Sequence, residues 1–203
     1  MRVVEVFGDV ACPFTYVGLR RFADAIQCHG AAVAVRVRAW PLEWVNGRPL
    51  DPDHVAREIE ALQASVAAGF FAGVDLARFP RTSIPAFGLA SAAYGRDDAT
   101  GLAVSLRVRT ALFEEGADVT DRGVLRDLGA PYGVEPVDDG TAAARTRADW
   151  EEGKRRGVVG SPHYFVGGHD WFCPGLRIEQ KDGRFAVAVD AAASDALLAE
   201  VLQ

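Results

Sequence analysis

The sequence predicts an α/β fold in which a β-α-β half and a C-terminal β-hairpin-helix half are separated by a long helical stretch. Three observations carry that prediction. An apolar run, Val3-Val4-Glu5-Val6-Phe7, is followed by Leu19, Phe22 and Ile26 at helical spacing and then by the alternating Val33, Val35 and Val37. From Pro41 to Gly157 strand patterning gives way to helical periodicity and loops. Strand signals return at His163-Tyr164-Phe165-Val166 and again between Leu176 and Val189.

The elements follow in order. Residues 2–7 read as a buried strand and Gly8-Asp9 as a turn. A helix runs from Pro13 to about Cys28, with proline at its first position and Gly30 just past its end. Cys28 falls at the end of this helix, on or near its apolar face, and reads as structural. Residues 33–38 alternate, with Arg36 and Arg38 opposite the valines, as in a half-buried strand near a sheet edge. That strand pairs parallel to the first through a right-handed crossover. Helices are expected near 52–69, 84–94, 99–115, 121–130 and 140–156, with a loop over 69–83 whose apolar residues could line a cleft. Arg107, Arg109, Glu114 and Glu115 read as a solvated helix face. Gly167-Gly168 is a tight turn, Lys181-Asp182-Gly183-Arg184 the turn of a hairpin, and Ser194 the cap of a final helix ending at Leu202. This order is a thioredoxin-like layout. Residues 1–40 plus 158–203 make one domain, and 41–157 form an inserted helical domain.

Composition narrows the function. The 203 residues are 49% hydrophobic and 25% charged, which is ordinary for a globular protein. A net charge of −6 from 22 basic and 28 acidic residues speaks against a nucleic-acid partner. No apolar run reaches the roughly 18 residues of a membrane span, and Glu5 and Asp9 spoil any signal-peptide pattern. The expectation is a cytoplasmic protein without a membrane partner. The three cysteines, Cys12, Cys28 and Cys173, form no C-x-x-C pair, and the four histidines show no metal-ligand spacing, so no metal is expected.

Two segments carry chemistry. Cys12-Pro13-Phe14-Thr15 opens a helix directly after a strand. Backbone N–H groups and the helix dipole there favour thiolate over thiol, which lowers a cysteine from its usual value of about 8.5. Gly157-Val158-Val159-Gly160-Ser161-Pro162-His163 places a proline at the first position of a strand, where its missing donor does no harm. A cis Ser161–Pro162 bond is expected, since X–Pro bonds alone are cis at appreciable frequency. His163 would point into the cleft as an acid/base or sit in the core. Trp40, Trp44, Phe70, Phe71 and Trp171 would line a pocket or belong to the core.

Asp9-Val10-Ala11-Cys12-Pro13-Phe14-Thr15-Tyr16-Val17-Gly18 resembles the active-site opening D-x-x-C-P-W-C-Y-x-G of the DsbA-like family, in its FrnE-type branch. Gly157 to Pro162 resembles the cis-proline loop of the same family. The resemblance implies a thioredoxin-like fold and assigns Cys12 as nucleophile. Thr15 stands where the second cysteine would be and is assigned to the catalytic pair as a hydrogen-bond donor. Pro13, Phe14, Ser161, Pro162 and His163 become substrate-binding residues. Cys173 reads as structural, with a remote partnership to Cys12 as the alternative.

The implied activity is thiol–disulfide exchange through one active cysteine, with no bound cofactor. Glutathione or another low-molecular-weight thiol serves as co-substrate, and the partner is a small thiol or a disulfide-bearing peptide. A homodimer remains open. Related 2-hydroxychromene-2-carboxylate isomerases and kappa-class glutathione transferases read S-P-x-S at the helix start and F-W-G-x-D-R later. Here Trp171 to Arg177 keeps aromatics and an arginine but lacks the aspartate. A glutathione-dependent isomerase or transferase is therefore the second expectation, and a non-catalytic thioredoxin-fold binding module the third.

Overall fold

The computed structural model describes residues 2–182 and 184–203. Strand β1 (Arg2–Gly8) leads to helix α1 (Pro13–His29) and returns in β2 (Val33–Ala39). The α1 helix starts at Pro13 and stops at Gly30, whose φ of 61° is a left-handed conformation suited to glycine. Strands β1 and β2 are parallel, with Val4 opposite Val35 and Val6 opposite Val37. Two further strands, β3 (His163–Val166) and β4 (His169–Phe172), complete a sheet of order β2-β1-β3-β4. Strand β3 runs antiparallel to β1, and β2 is an edge strand.

Between β2 and β3 lie α2 (Leu42–Val45), α3 (Pro52–Ser65), α4 (Ile84–Tyr94), α5 (Asp98–Glu115), α6 (Arg122–Gly129) and α7 (Asp139–Arg156). Short 3-10 turns occupy Leu76–Arg78 and Ala130–Tyr132. Caps explain the boundaries. Asp51, Asp97, Asp121 and Asp138 each accept a backbone N–H two or three residues on, at the starts of α3, α5, α6 and α7. The α3 helix ends at Ser65, short of the predicted residue 69.

The arginines of β2 are ion-paired on the side of the strand opposite its valines. Arg36 pairs with Asp98 of α5 at 2.8 Å. Arg38 pairs with Glu5 at 2.6 Å and with Asp149 of α7 at 2.9 Å. The other oxygen of Asp149 accepts the Ala39 N–H at 2.9 Å, so α7 is bonded to the sheet edge.

Strands β5 (Leu176–Lys181) and β6 (Arg184–Val189) form a separate two-stranded sheet. The chain leaves the main sheet at Cys173-Pro174-Gly175, where Cys173 has φ 46°, Gly175 has φ 88° and Pro174 has no N–H to continue the ladder. The predicted Asp182-Gly183 turn falls partly outside the described residues at Gly183. The last helix, α8 (Ala191–Leu202), starts earlier than predicted. Asp190 is its cap, accepting the Ala193 N–H at 3.1 Å, and Ser194 lies inside the helix.

One core cluster lies under α1 on one sheet face and includes Val4, Val6, Phe22 and Tyr164. A smaller one, Phe7, Trp40 and Val158, lies under α7 on the other face. Trp40 is therefore core rather than cleft. A Cβ at Gly153 of α7 would come within 2.6 Å of the Trp40 ring and 3.1 Å of Phe7. Gly153→Val should therefore destabilise the protein by about 1–3 kcal/mol, as overpacking does. Urea unfolding followed by tryptophan fluorescence measures this directly.

Candidate active site

The loop after β1 is held by a buried aspartate. Asp9 is 1% exposed. Its Oδ1 accepts Ala11 N–H at 2.8 Å and the Ser83 hydroxyl at 2.5 Å, and its Oδ2 accepts Leu42 N–H at 2.6 Å. Its main-chain oxygen accepts Nη2 of Arg109 at 3.2 Å. Burial raises the Asp9 carboxyl, and these hydrogen bonds work against that rise. Arg109 itself is 1% exposed. The predicted solvated face of α5 is thus corrected at this residue. Glu114 departs from it too, accepting from the Tyr16 hydroxyl at 2.9 Å and from Phe71 and Ala72 N–H at 2.8 and 3.0 Å. Phe71 holds a left-handed φ of 68°, and the Glu114 bonds secure that turn beside Tyr16.

Cys12 occupies the N-cap position of α1, with Pro13 directly after it. Its Sγ donates to the Ser161 main-chain oxygen at 3.3 Å. The Ser161–Pro162 peptide is cis. The Thr15 hydroxyl and the Ser161 hydroxyl lie 2.6 Å apart, and Asp9 N–H donates to the Ser161 hydroxyl at 2.8 Å. The structure therefore brings Cys12, Thr15, Ser161 and Pro162 together. Pro13 and Phe14 are also buried, and the Phe14 ring meets Phe185 of β6 edge-on at 6.5 Å. The β5–β6 hairpin packs in the same core cluster as Cys12 through Leu176 and Val187.

His163 does not join this group. Its Nδ1 accepts from Val159 N–H at 3.3 Å, and its Nε2 faces Asp170 Oδ1 at 3.0 Å. Its ring leans on Phe165 at 4.6 Å. Phe165 packs with Phe7 on the α7 side of the sheet, whereas Tyr164 packs on Phe22 of α1. Period-two alternation therefore sends His163 to the face away from α1.

The thiol is buried, at 3% exposure, and this corrects the acidic-thiolate expectation. Burial, and then the nearby Glu58 carboxylate, push the Cys12 thiol up to about 11. Hydrogen bonds from Thr15 and Ser161 oppose the rise but do not overcome it. A helix terminus contributes a modest stabilisation, and full desolvation of a thiolate outweighs it. Glu58 lies on α3, 3.4 Å from His54, and burial pushes it up to about 7. Cys173 is also buried. Burial, and then Cys12, push its thiol up to about 12, and its N–H donates to the Pro162 oxygen at 2.8 Å. Cys28 is exposed, contrary to the expectation of an apolar-face position.

The sequence singles out neither Glu58 nor Ser83, gives Arg109 only a solvated helix face, and gives Asp9 a turn and a motif position without its buried partners. Glu58 could have been found, because it shares a helix face with Val55, Ile59 and Leu62, and a carboxylate on an apolar stripe is anomalous. Among the described residues, no group of three or more His, Cys, Asp or Glu could hold a metal, and no helix is long and apolar enough to cross a membrane.

A family model described as a DSBA-like thioredoxin domain matches residues 3–181. No curated protein matches the chain. Several solved structures do. A probable DsbA oxidoreductase from Streptomyces coelicolor is 22% identical with a TM-score of 0.64, covering 84% of this chain and 83% of that one. The cytosolic disulfide reductase DsbM from Pseudomonas aeruginosa is 21% identical with a TM-score of 0.62, covering 97% of each chain. It has also been solved with GSH. A 2-hydroxychromene-2-carboxylate isomerase is 17% identical with a TM-score of 0.57, covering 84% of this chain and 88% of that one. At these identities the likeness establishes the fold.

Two outcomes are expected. In the native protein, iodoacetamide at pH 7.5 should label Cys28 well before Cys12, and Cys12 labelling should climb as pH approaches about 11. Peptide mass spectrometry against time reads this, and equal native rates would contradict the burial argument. Glu58, ordinarily near 4.5 and here near 7, carries a charge above pH 7 that the fold disfavours. The stability it contributes is present below about 4.5 and lost as pH rises through 7. Glu58→Gln should therefore stabilise the protein by about 2 kcal/mol at pH 8 and little at pH 4.5. It should also raise Cys12 alkylation several-fold at pH 8, by removing a like charge from beside the thiolate.

Proposed function

The chain belongs to the DSBA-like thioredoxin family, and from that premise we propose that it exchanges thiols and disulfides through Cys12 alone. The observation that carries this reading is Cys12 capping α1 against the cis Ser161–Pro162 loop, with threonine in place of a second thiol one turn on. Cys12 Sγ attacks one sulfur of a small or peptide disulfide. The Cys12–sulfur bond forms, the substrate's sulfur–sulfur bond breaks, and a thiolate leaves and takes up a proton. An external thiol of the glutathione class then attacks the mixed disulfide, forms a new disulfide and releases Cys12. Donors from Thr15 and Ser161 support the Sγ anion as it develops. The backbone at Ser161 offers an extended substrate a strand-like partner. Such a cycle suits a reducing compartment, the cytoplasm.

A second reading is favoured by one observation, the thiol held neutral at physiological pH. A neutral Cys12 S–H can donate to the sulfur of bound glutathione, as a hydroxyl at this position would. That is the requirement of a glutathione-dependent isomerase or transferase.

One experiment separates them. The Cys28→Ser protein is incubated with oxidised glutathione and digested for mass spectrometry. Exchange predicts one glutathione, on Cys12, released by reduced glutathione. No adduct on Cys12 after prolonged exposure at pH 8, together with measurable binding of reduced glutathione that survives in Cys12→Ser, would replace the first reading with the second.

A further inference from the structure

Cys173 is a second buried thiol, and exchange through Cys12 gives it no part. It comes from the other end of the chain and lands on the same loop. Cys12 Sγ donates to the Ser161 main-chain oxygen at 3.3 Å, and Cys173 N–H donates to the oxygen of the next residue, Pro162, at 2.8 Å. Both cysteines belong to the core cluster that contains Val10, Phe14 and Val17, at 3% and 4% exposure. Both are free thiols.

Strand alternation gives Cys173 its side. Strands β3 and β4 pair His163 with Phe172, whose rings lie 6.1 Å apart on the sheet face away from α1. The next pair along the ladder is Pro162 with Cys173, which alternation turns to the opposite face, toward α1. Pro162 obeys this, since its Cγ lies 3.7 Å from where a Cβ at Gly18 of α1 would sit. Cys12 begins that helix. Cys173 also holds φ 46°, a left-handed conformation in which glycine would be less strained, yet the position carries a thiol. Apart from burial, Cys12 is the group that shifts the Cys173 thiol, which agrees with this placement.

We propose that Cys12 and Cys173 close into an intramolecular disulfide when external thiol is scarce. The inference rests on Cys12 as the exchanging thiol and adds a second fate for its mixed disulfide. The Cys173 thiol gives up its proton, and its sulfur attacks Cys12 Sγ. The Cys12–Cys173 bond forms, the bond from Cys12 to the substrate sulfur breaks, and the substrate leaves as a thiolate that takes up a proton. The substrate disulfide is the oxidant and ends as two thiols. Two thiols of the glutathione class reverse the closure and become a disulfide themselves, so turnover through Cys12 resumes when they are abundant. While the bond is closed, Cys12 is withheld from exchange and from oxidation beyond the disulfide.

The test uses the full chain carrying Cys28→Ser, a change at an exposed side chain. It begins with diamide, which takes two hydrogens from a pair of thiols. Diamide at pH 8.5 should lower the intact mass by two hydrogens, leave the oligomeric state unchanged and give, on digestion without reductant, a peptide linking Cys12 to Cys173. With oxidised glutathione and no added thiol, the Cys12 adduct should form first and then give way to the linked form. In Cys173→Ser the adduct should persist, about fivefold or more above the parent at late times. Cys173→Ala replaces that variant if serine at this buried position impairs folding. The proposal is overturned if diamide leaves both thiols free or links cysteines only between molecules. It is equally overturned if the adduct persists alike with and without Cys173, an outcome that leaves exchange at Cys12 standing. A linked peptide from diamide with no glutathione adduct in either protein does the reverse, upholding the disulfide and removing the exchange.

Discussion

The buried carboxylate of Asp9 is the constraint on which the rest depends. It sits on the residue between the end of β1 and the loop that presents Cys12, and it is bonded in three directions: to Ala11 of its own loop, to Leu42 at the start of α2, and to Ser83 at the start of α4. Its N–H fixes the Ser161 hydroxyl, and so the proline loop, while its carbonyl takes Arg109. A buried carboxylate is tolerated only when hydrogen-bonded and offset by positive charge, and each of those partners comes from a different part of the chain. The geometry at Cys12 is therefore not a property of the β1–α1 turn alone. It is assembled from the sheet, the intervening helices and the proline loop together.

Two effects compete at Cys12, and their sizes decide its character. A helix start stabilises an anion by at most about 2 kcal/mol in favourable geometries. Removing a thiolate from water shifts its pKa upward by several units when burial is complete, and here the thiol rises to about 11. Glu58 adds to the rise, and it comes from α3, whose His54 ring meets Phe185 of β6 edge-on at 5.2 Å. The helices between β2 and β3 thus convert what the local motif would make an exposed, acidic thiol into a covered, neutral one.

Much of this was legible in the sequence, and the failures have physical causes. Periodicity located β1, α1, β2 and the helices after them, because apolar faces are written in the chain at periods of two and 3.6. The proline loop and Cys12 were readable because Pro13 and Pro162 constrain the backbone locally. Cys28 was misread by rotation: it lies two residues past the buried Ile26, about 200° around the helix, and so faces water. His163 was undetermined because strand alternation gives two faces without saying which one packs on α1. Arg109 and Glu114 were assigned to solvent because charge in a helix usually means surface, and only their tertiary partners, Asp9 and the turn at Phe71, overturn that rule.

Arg109 connects the two parts of the molecule in which polar groups are buried. Its Nη2 donates to the carbonyl of Asp9 at 3.2 Å, at the start of the loop that presents Cys12, and its side chain lines a cavity behind β2. Burial lowers its affinity for a proton, and Asp9 is the first group that opposes this. The arginine is thus positioned by an aspartate whose oxygens are already occupied by other donors, which leaves its Nε unpaired. The charges of Arg109 and Asp9 are therefore buried together, and each opposes the cost of burying the other.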